Sequence, residues 1–537
     1  MANQSKKQSF LGGAAILAAA VAIVKVIGAV YKIPFGNIVG SEGQTYFNVA
    51  YNIYNVLLTI STAGLPLAIS KLTSEAHAQG RENEKRKIFR TAIWLFFGLG
   101  LVGSALMFFG AEQLADFMNE PLGYWPIRAL APAVFCVCLL ACMRGYTQGQ
   151  GNMKPTAISQ ILEAMCKLVL GLSLAWYFIK LGMGLDMAAA GAILGVTVGT
   201  ILSMCFLVFY LVTHRDRSAS LDVPPSSGVL MKKILMIGVP ITLSNSAMSI
   251  ITLVDTKIVL GRLQDIPSLA DSAATLFGQY QFGMNLINLP PSFVYPVTMS
   301  LIPFAAAAIS RKDHAAAGRI VSSAFRLIAT LTIPAGVGLS VLGGPALMML
   351  YPAQQTDAVA AGPHMRWLGI ACIFICIMTL TNAILQTYGK EKIPIITVII
   401  GGITKIVMNY ILVGNPDINI HGAPISTLCC YAVIVVLNLF FVWKYSPEKP
   451  HYMQLFAKPI VASALMGGAA WAVYGFVDRA LTTGHSVYGA NAIATMVGIL
   501  AGVAVYGVLV IALRILRAED VKSIPHGAKI IKLLHLK

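Results

Sequence analysis

Four lysines and two acids stand deep inside apolar runs of this 537-residue chain: Lys25, Lys167, Lys257 and Lys405 against Glu163 and Asp255. Lys32, Arg128, Arg262 and Arg366 lie nearer the ends of such runs. An ionised side chain in an apolar medium costs roughly 3 kcal/mol or more, so each one needs a partner or a polar cavity. Cations outnumber acids here, and the chemistry this excess suits is the holding of an anion. The two acids lie on separate runs and offer no paired carboxylates for acid–base work. The nine cysteines form no ligand set with histidine and read as small buried hydrophobes. We therefore expect no covalent catalysis, no metal and no cofactor.

Spacing refines this. Glu163 and Lys167 are four apart, which predicts a pair on one helix face. Asp255 and Arg262 are seven apart and share a face, expected to line a cavity. Lys25 falls halfway along its run, too deep for its ammonium to reach an interface easily, and is expected to meet a ligand. Lys32 sits nearer the end, where it can snorkel. Asn52, Asn285 and Asn288 would suit hydrogen bonding to a sugar; bonding between helices is the other reading.

The elements that must hold these residues follow from composition. The chain is 57% hydrophobic and 11% charged, with mean hydropathy +0.74. Soluble domains carry roughly 25% charged residues. Runs of about 20 apolar residues, the length that crosses a bilayer core, recur throughout. They predict an all-α polytopic membrane protein with fourteen spans: 9–33, 44–71, 88–110, 123–145, 156–180, 187–213, 231–261, 274–305, 318–343, 364–388, 393–413, 421–444, 456–478 and 486–513. Breaks are expected at Gly64 with Pro66 and at Pro290 with Pro291. The first run is longer than a signal-peptide core and contains Lys25, so it is read as a retained helix.

Charge orients the spans. With the N-terminus inside, one side collects Lys6, Lys7, residues 81–90, Lys154, Arg215, Arg311, Lys390 and Lys449. The other collects only Lys32, Arg128, Lys180, Arg262, Arg366 and Arg479. This is a positive-inside bias, and it places both termini in the cytoplasm. Most of the net +17 is then topology and attraction to anionic lipid, with no nucleic-acid partner expected. The tail GAKIIKLLHLK reads as an amphipathic surface segment.

One polar stretch interrupts the apolar runs twice. RGYTQGQGNMKPTAISQ, 144–160, returns in reduced form as LQTYGKEKIP, 385–394. Gln148 and Gly151 match Gln386 and Gly389 at an offset of 238. Both stretches fall between successive spans, so Arg144, Gln148, Gly151, Pro155, Gln386 and Gly389 are expected to build structural corners. The match suggests two parallel six-helix halves, 1–220 and 221–446, followed by two appended helices and the tail in 447–537.

RGYTQGQGNMKPTAISQILE, IVKVIGAVYKIPFGNIVGSEG, STAGLPLAISKLTSEA and NAILQTYGKEKIP together resemble the stage V sporulation protein B and MurJ-like flippase family, polysaccharide exporters of the MATE-like superfamily. The resemblance covers essentially the whole chain. It implies two six-helix MATE-like lobes around a cationic cavity, alternating access, and translocation of an undecaprenyl-pyrophosphate-linked saccharide such as lipid II from the inner to the outer leaflet of a bacterial plasma membrane. It implies a monomeric transporter whose partners are that anionic lipid and the surrounding bilayer. By position, Lys25 stands where relatives carry an arginine, and Tyr31 and Lys32 stand where they carry an Arg-Asp pair. Asp255, Asn409 and Thr427 match a sodium site of some relatives, with Lys405 in a ligand's place. If helices 7 and 11 meet as the resemblance implies, Asp255 and Lys405 form a buried ion pair instead. A multidrug antiporter on the same fold would favour an acidic cavity. A membrane glycosyltransferase would need clustered acids and a large outer loop.

Overall fold

The computed structural model describes residues 2–214, 220–311, 313–446, 448–481 and 487–516, and the regular structure among them is all helical. In lipid every backbone N–H and C=O needs a partner inside its own segment, so long apolar runs have little choice but helix. In order these are α1 (Ala2–Thr62), α2 (Leu65–Ala78), α3 (Glu82–Phe109), α4 (Ala111–Phe117), α5 (Tyr124–Gly149), α6 (Lys154–Cys166), α7 (Leu172–Lys180), α8 (Leu185–Thr213) and α9 (Ser227–Gln264). Then follow α10 (Ala273–Ile287), α11 (Leu289–Ser310), α12 (His314–Leu350), α13 (Gln355–Ala361), α14 (His364–Thr387), α15 (Lys392–Leu412), α16 (Gly422–Tyr445), α17 (Tyr452–Leu481) and α18 (Val487–Ala512). The tail segment GAKIIKLLHLK lies outside the described residues.

Both expected breaks are present. α1 ends at Thr62 and α2 restarts at Leu65, with Pro66 in its first turn. α10 ends at Ile287 and α11 restarts at Leu289, with Pro290 and Pro291 in its first turn. By length and apolarity, eleven helices among the described residues can cross a membrane, or twelve if the bent α9 is one span. The expected fourteen is not reached by this criterion. One of the eleven, Ala19–Ala78, has 60 residues, about 90 Å of helix against a bilayer core of about 30 Å. It is interrupted at Gly40, whose φ of 70° is open only to glycine at low cost. The break between α10 and α11 leaves a further expected span in two pieces, neither counted.

The chain forms two compact units, Met1–Gly261 and Arg262–Lys537. The expected lobes, 1–220 and 221–446, divide it earlier, before α9. In the first unit α5 is the central helix, packed by α1, α2, α3 and α8. Gly145 and Gly149 let α5 close on α2. A Cβ on Gly145 would fall 2.6 Å from the Pro66 carbonyl, and one on Gly149 would fall 2.6 Å from that of Ser70. Two small residues four apart on one face are the usual device for close helix contact in membranes. α9 is tied to α1 by hydroxyls: Thr59 Oγ1 and Ser249 Oγ lie 2.9 Å apart. The segment after α8 returns to cap α3. Asp222 accepts from the backbone N–H of Asn83 at 3.0 Å and of Glu84 at 2.8 Å. Burial pushes the Asp222 carboxyl up, but these bonds and the Ser220 hydroxyl outweigh it and hold its pKa below the ordinary value.

In the second unit α12 is the hub, packed by α11, α14, α17 and α18. Pro334 inside α12 has no N–H to give the Thr330 carbonyl. The Tyr506 hydroxyl of α18 supplies that bond instead, at 2.8 Å. Asn491 likewise donates to the Pro345 carbonyl at 3.1 Å. The appended helices are therefore fastened to the proline breaks of α12. Tyr506→Phe is expected to cost about 1 kcal/mol, one hydrogen bond to a carbonyl left without a donor. Detergent or thermal unfolding of the purified chain reads this, and an unchanged midpoint would contradict the assignment.

Candidate functional site

The excess of cations gathers in the first unit. α1 carries Lys25 and, two turns on, Tyr31 and Lys32. Lys32 lies within electrostatic reach of both Lys167 and Lys25. The Lys167 ammonium stands over three aromatic rings of the same helix, 4.6 Å from the centre of Tyr51, 4.8 Å from Tyr31 and 5.6 Å from Phe47. Ring centres continue the surface: Tyr31 to Phe35 is 5.4 Å, Phe35 to Phe47 is 4.8 Å, and Tyr51 to Tyr54 is 5.6 Å. Cation–π contact partly replaces the water that the lysine has lost. Among the described residues, none of Lys25, Lys32 and Lys167 has a carboxylate within ion-pair distance. The Tyr31 hydroxyl is buried and has no hydrogen-bond partner. Three ammoniums with no carboxylate partner among the described residues, one orphan hydroxyl and a stack of rings form the candidate site.

The backbone explains why Lys167 is there. α6 gives way at Lys167 to a π-helical turn, Lys167–Gly171, before α7. Such widened turns recur at functional sites. The turn packs close against α8: a Cβ on Gly195 would fall 2.3 Å from the Gly171 nitrogen, and one on Gly171 2.9 Å from the Ala192 carbonyl.

This corrects one expectation. Glu163 does not pair with Lys167; its carboxylate takes the Arg144 guanidinium of α5 at 3.0 Å. Arg144 also donates to Ser159 Oγ at 2.9 Å. The backbone from Glu163 to Lys167 is helical, so the spacing is kept, but Arg144 of α5 takes the carboxylate and the rings of α1 take the ammonium.

Arg262, expected to share a cavity face with Asp255, has partners of its own. Its guanidinium is engaged by Asp265 at 2.6 Å and by the Tyr410 carbonyl at 3.2 Å, and it covers the Tyr410 ring at 4.5 Å. It fastens the end of α9 to α15. Asn52 is also committed, donating to Thr256 Oγ1 of α9 at 2.8 Å, the helix-to-helix reading. Asn288 bonds back to the Met284 carbonyl at the α10–α11 break. Asn285 is buried with its amide nitrogen unpartnered. Asp255 is buried in the first unit and Lys405 half-buried in the second, and each has a polar interaction. Asn409 accepts from Ser426, and Thr427 bonds to the Tyr280 hydroxyl at 2.8 Å.

The two polar stretches are corners, as their glycines suggest. Gly151 has φ 78° and Gly389 has φ 70°. Each closes the same helix end. Gly151 N donates to Gln148 O at 2.9 Å and Asn152 N to Thr147 O at 3.1 Å. Gly389 N donates to Gln386 O and Lys390 N to Leu385 O, both at 2.9 Å. This is the Schellman cap, repeated 238 positions apart. Pro155 then opens α6 in its first turn, and Gln148 reaches Thr156 at 3.5 Å. A Cβ on either glycine would meet nothing within 4 Å, so only backbone strain opposes alanine there. Gly151→Ala and Gly389→Ala are each expected to cost about 1 kcal/mol in unfolding experiments. A neutral result at either would contradict the cap.

The aromatic stack was missed by charge-based reading. Its signal was present, since Tyr31 with Phe35, and Phe47 with Tyr51 and Tyr54, recur at helical spacing.

A family model described as "Polysaccharide biosynthesis protein" matches residues 10–309. Stage V sporulation protein B of Bacillus subtilis is 25% identical over 529 residues, covering 97% of this chain and 98% of that one. The lipid II flippase MurJ of the same organism is 24% identical over 478 residues, covering 85% and 87%. A solved structure of lipid II flippase MurJ in an inward closed conformation superposes with TM-score 0.66 at 16% identity, over 93% of this chain and 99% of that one.

Proposed function

The chain belongs to the polysaccharide biosynthesis protein family, and on that premise we propose that it is a flippase for a polyprenyl-pyrophosphate-linked saccharide, lipid II or a cell-wall or polysaccharide relative of it. The observation that carries this is the trio Lys25, Lys32 and Lys167, which has no carboxylate partner among the described residues and whose Lys167 stands over the rings of Tyr31, Phe47 and Tyr51. The pyrophosphate takes the ammoniums. The orphan Tyr31 hydroxyl donates to a phosphate or sugar oxygen, and the ring faces take the apolar faces of the sugar. No bond is made or broken; binding neutralises the site, and alternating access releases the head group on the other side. On the expected topology, with both termini in the cytoplasm, the anion moves outward, with the help of an inside-negative potential worth about 2.3 kcal/mol per charge per 100 mV.

Photo-cross-linking tests the site. A polyprenyl-pyrophosphate saccharide carrying a diazirine on its first sugar is expected to label residues 25–54 or 163–171, and unlabelled lipid-linked pyrophosphate should compete. Labelling confined to other helices would overturn the assignment.

A further inference from the structure

A second cationic cavity lies within the second unit, at the ends of α12, α17 and α18. It measures about 660 Å³, within the usual range for small-molecule sites. Among the described residues Arg319, Arg326, Lys458 and Arg514 line it, with His451 and a single carboxylate, Glu448. The first turn of α17 also faces it, through residues 453–455. The Gln454 and Leu455 N–H groups already bond to the His451 carbonyl, at 3.0 and 3.3 Å, so this turn contributes its positive dipole end beside the side-chain charges.

Backbone geometry supplies an independent sign. Arg514 has φ 48°, the left-handed region that glycine fills at most helix ends. It closes α18 there, with Arg514 N donating to Ile511 O at 3.2 Å and Ile515 N to Val510 O at 3.1 Å. Lys458 braces this end by donating to the Leu513 carbonyl at 2.9 Å. An arginine placed where glycine would be less strained indicates use of the side chain, and here that side chain lines the cavity. Nothing in the translocation reading employs these residues.

We propose that this cavity is a binding site for a phosphate-bearing anion. Among the described residues four fixed cations face one carboxylate and leave it positive, arginines grip phosphate through paired N–H donors, and the α17 terminus adds its positive dipole end. The anion's source is either the head group of a bilayer lipid or a free phosphate compound. The proposal stands independently of the flippase reading.

The full-length chain in phosphatidylcholine nanodiscs tests it by thermal melting, in two arms. One titrates inorganic pyrophosphate; the other replaces part of the phosphatidylcholine with phosphatidylglycerol. The melting temperature is expected to rise in at least one arm. A rise with phosphatidylglycerol alone identifies a lipid head group, and a rise with pyrophosphate alone identifies a free phosphate. The double variant Arg319→Gln/Arg514→Gly should bind at least tenfold more weakly, while Lys71→Gln, on the first unit, should bind as wild type. Arg514→Gly relieves the backbone and should not lower the melting temperature without anion, so lost binding is not lost folding. No rise in either arm, or an equal rise in the double variant, overturns the proposal.

Discussion

Lys32→Ala is expected to slow translocation of a pyrophosphate-linked saccharide by about 10- to 100-fold, with Lys25→Ala and Lys167→Ala in the same range. A hydrogen bond to a charged group contributes about 1.5–3 kcal/mol, and that range sets the factor. Among the described residues no carboxylate pairs with any of these lysines, so removing one strands no acid there and should leave insertion intact. Lys25→Arg keeps the charge and should retain most activity. Arg262→Ala is the contrast. Its guanidinium is already neutralised by Asp265 and held by Tyr410, so its loss should destabilise the end of α9 more than it slows transport. Wild-type rates in fully inserted lysine variants would remove the cluster from the mechanism.

Breaking the Arg144–Glu163 pair is expected to cost about 2–3 kcal/mol. A fully buried pair that loses one member costs about 3–5 kcal/mol, because the survivor is left uncompensated. Side-chain exposures of 15% and 24% lower that figure. Glu163→Gln or Arg144→Met alone should show the full effect in unfolding experiments. The double variant should be milder, with a coupling above about 1 kcal/mol. The same cycle between Glu163 and Lys167 should give coupling near zero. Strong coupling to Lys167 and none to Arg144 would restore the i,i+4 pair that helical spacing suggests.

That contrast shows what the sequence could and could not carry. Apolar length and Gly-Pro breaks gave the helices and their interruptions at Pro66 and Pro290, because lipid leaves backbone no alternative. The repeated Gln-x-x-Gly gave the two corners, because only glycine sits easily at positive φ. The excess of buried cations was legible as well. Their partners were not. Local spacing offered Lys167 to Glu163, but Arg144 took the carboxylate and the rings of α1 took the ammonium, and partners from other helices cannot be read from spacing along one helix. Arg262 shares a helix face with Asp255 by spacing, yet its guanidinium is held by Asp265, three residues on. Asn52 offered an amide to a sugar or to a helix, and only Thr256 at 2.8 Å distinguishes the two. The count of crossings was blurred where Gly40 breaks a helix without a loop and where Asn288 splits another.

The central claim is that this chain moves a pyrophosphate-linked saccharide across the bilayer through the lysine and aromatic cluster of its first unit. Reconstitution tests it most directly. Proteoliposomes holding the full chain are loaded with a fluorescent polyprenyl-pyrophosphate saccharide, and its appearance in the opposite leaflet is timed, with cationic drug efflux followed in parallel. The account predicts fast appearance of the lipid-linked saccharide, no drug efflux, and loss of the former in the Lys25→Gln/Lys32→Gln/Lys167→Gln variant. Drug efflux without lipid translocation, or translocation that survives the triple variant unchanged, would contradict it.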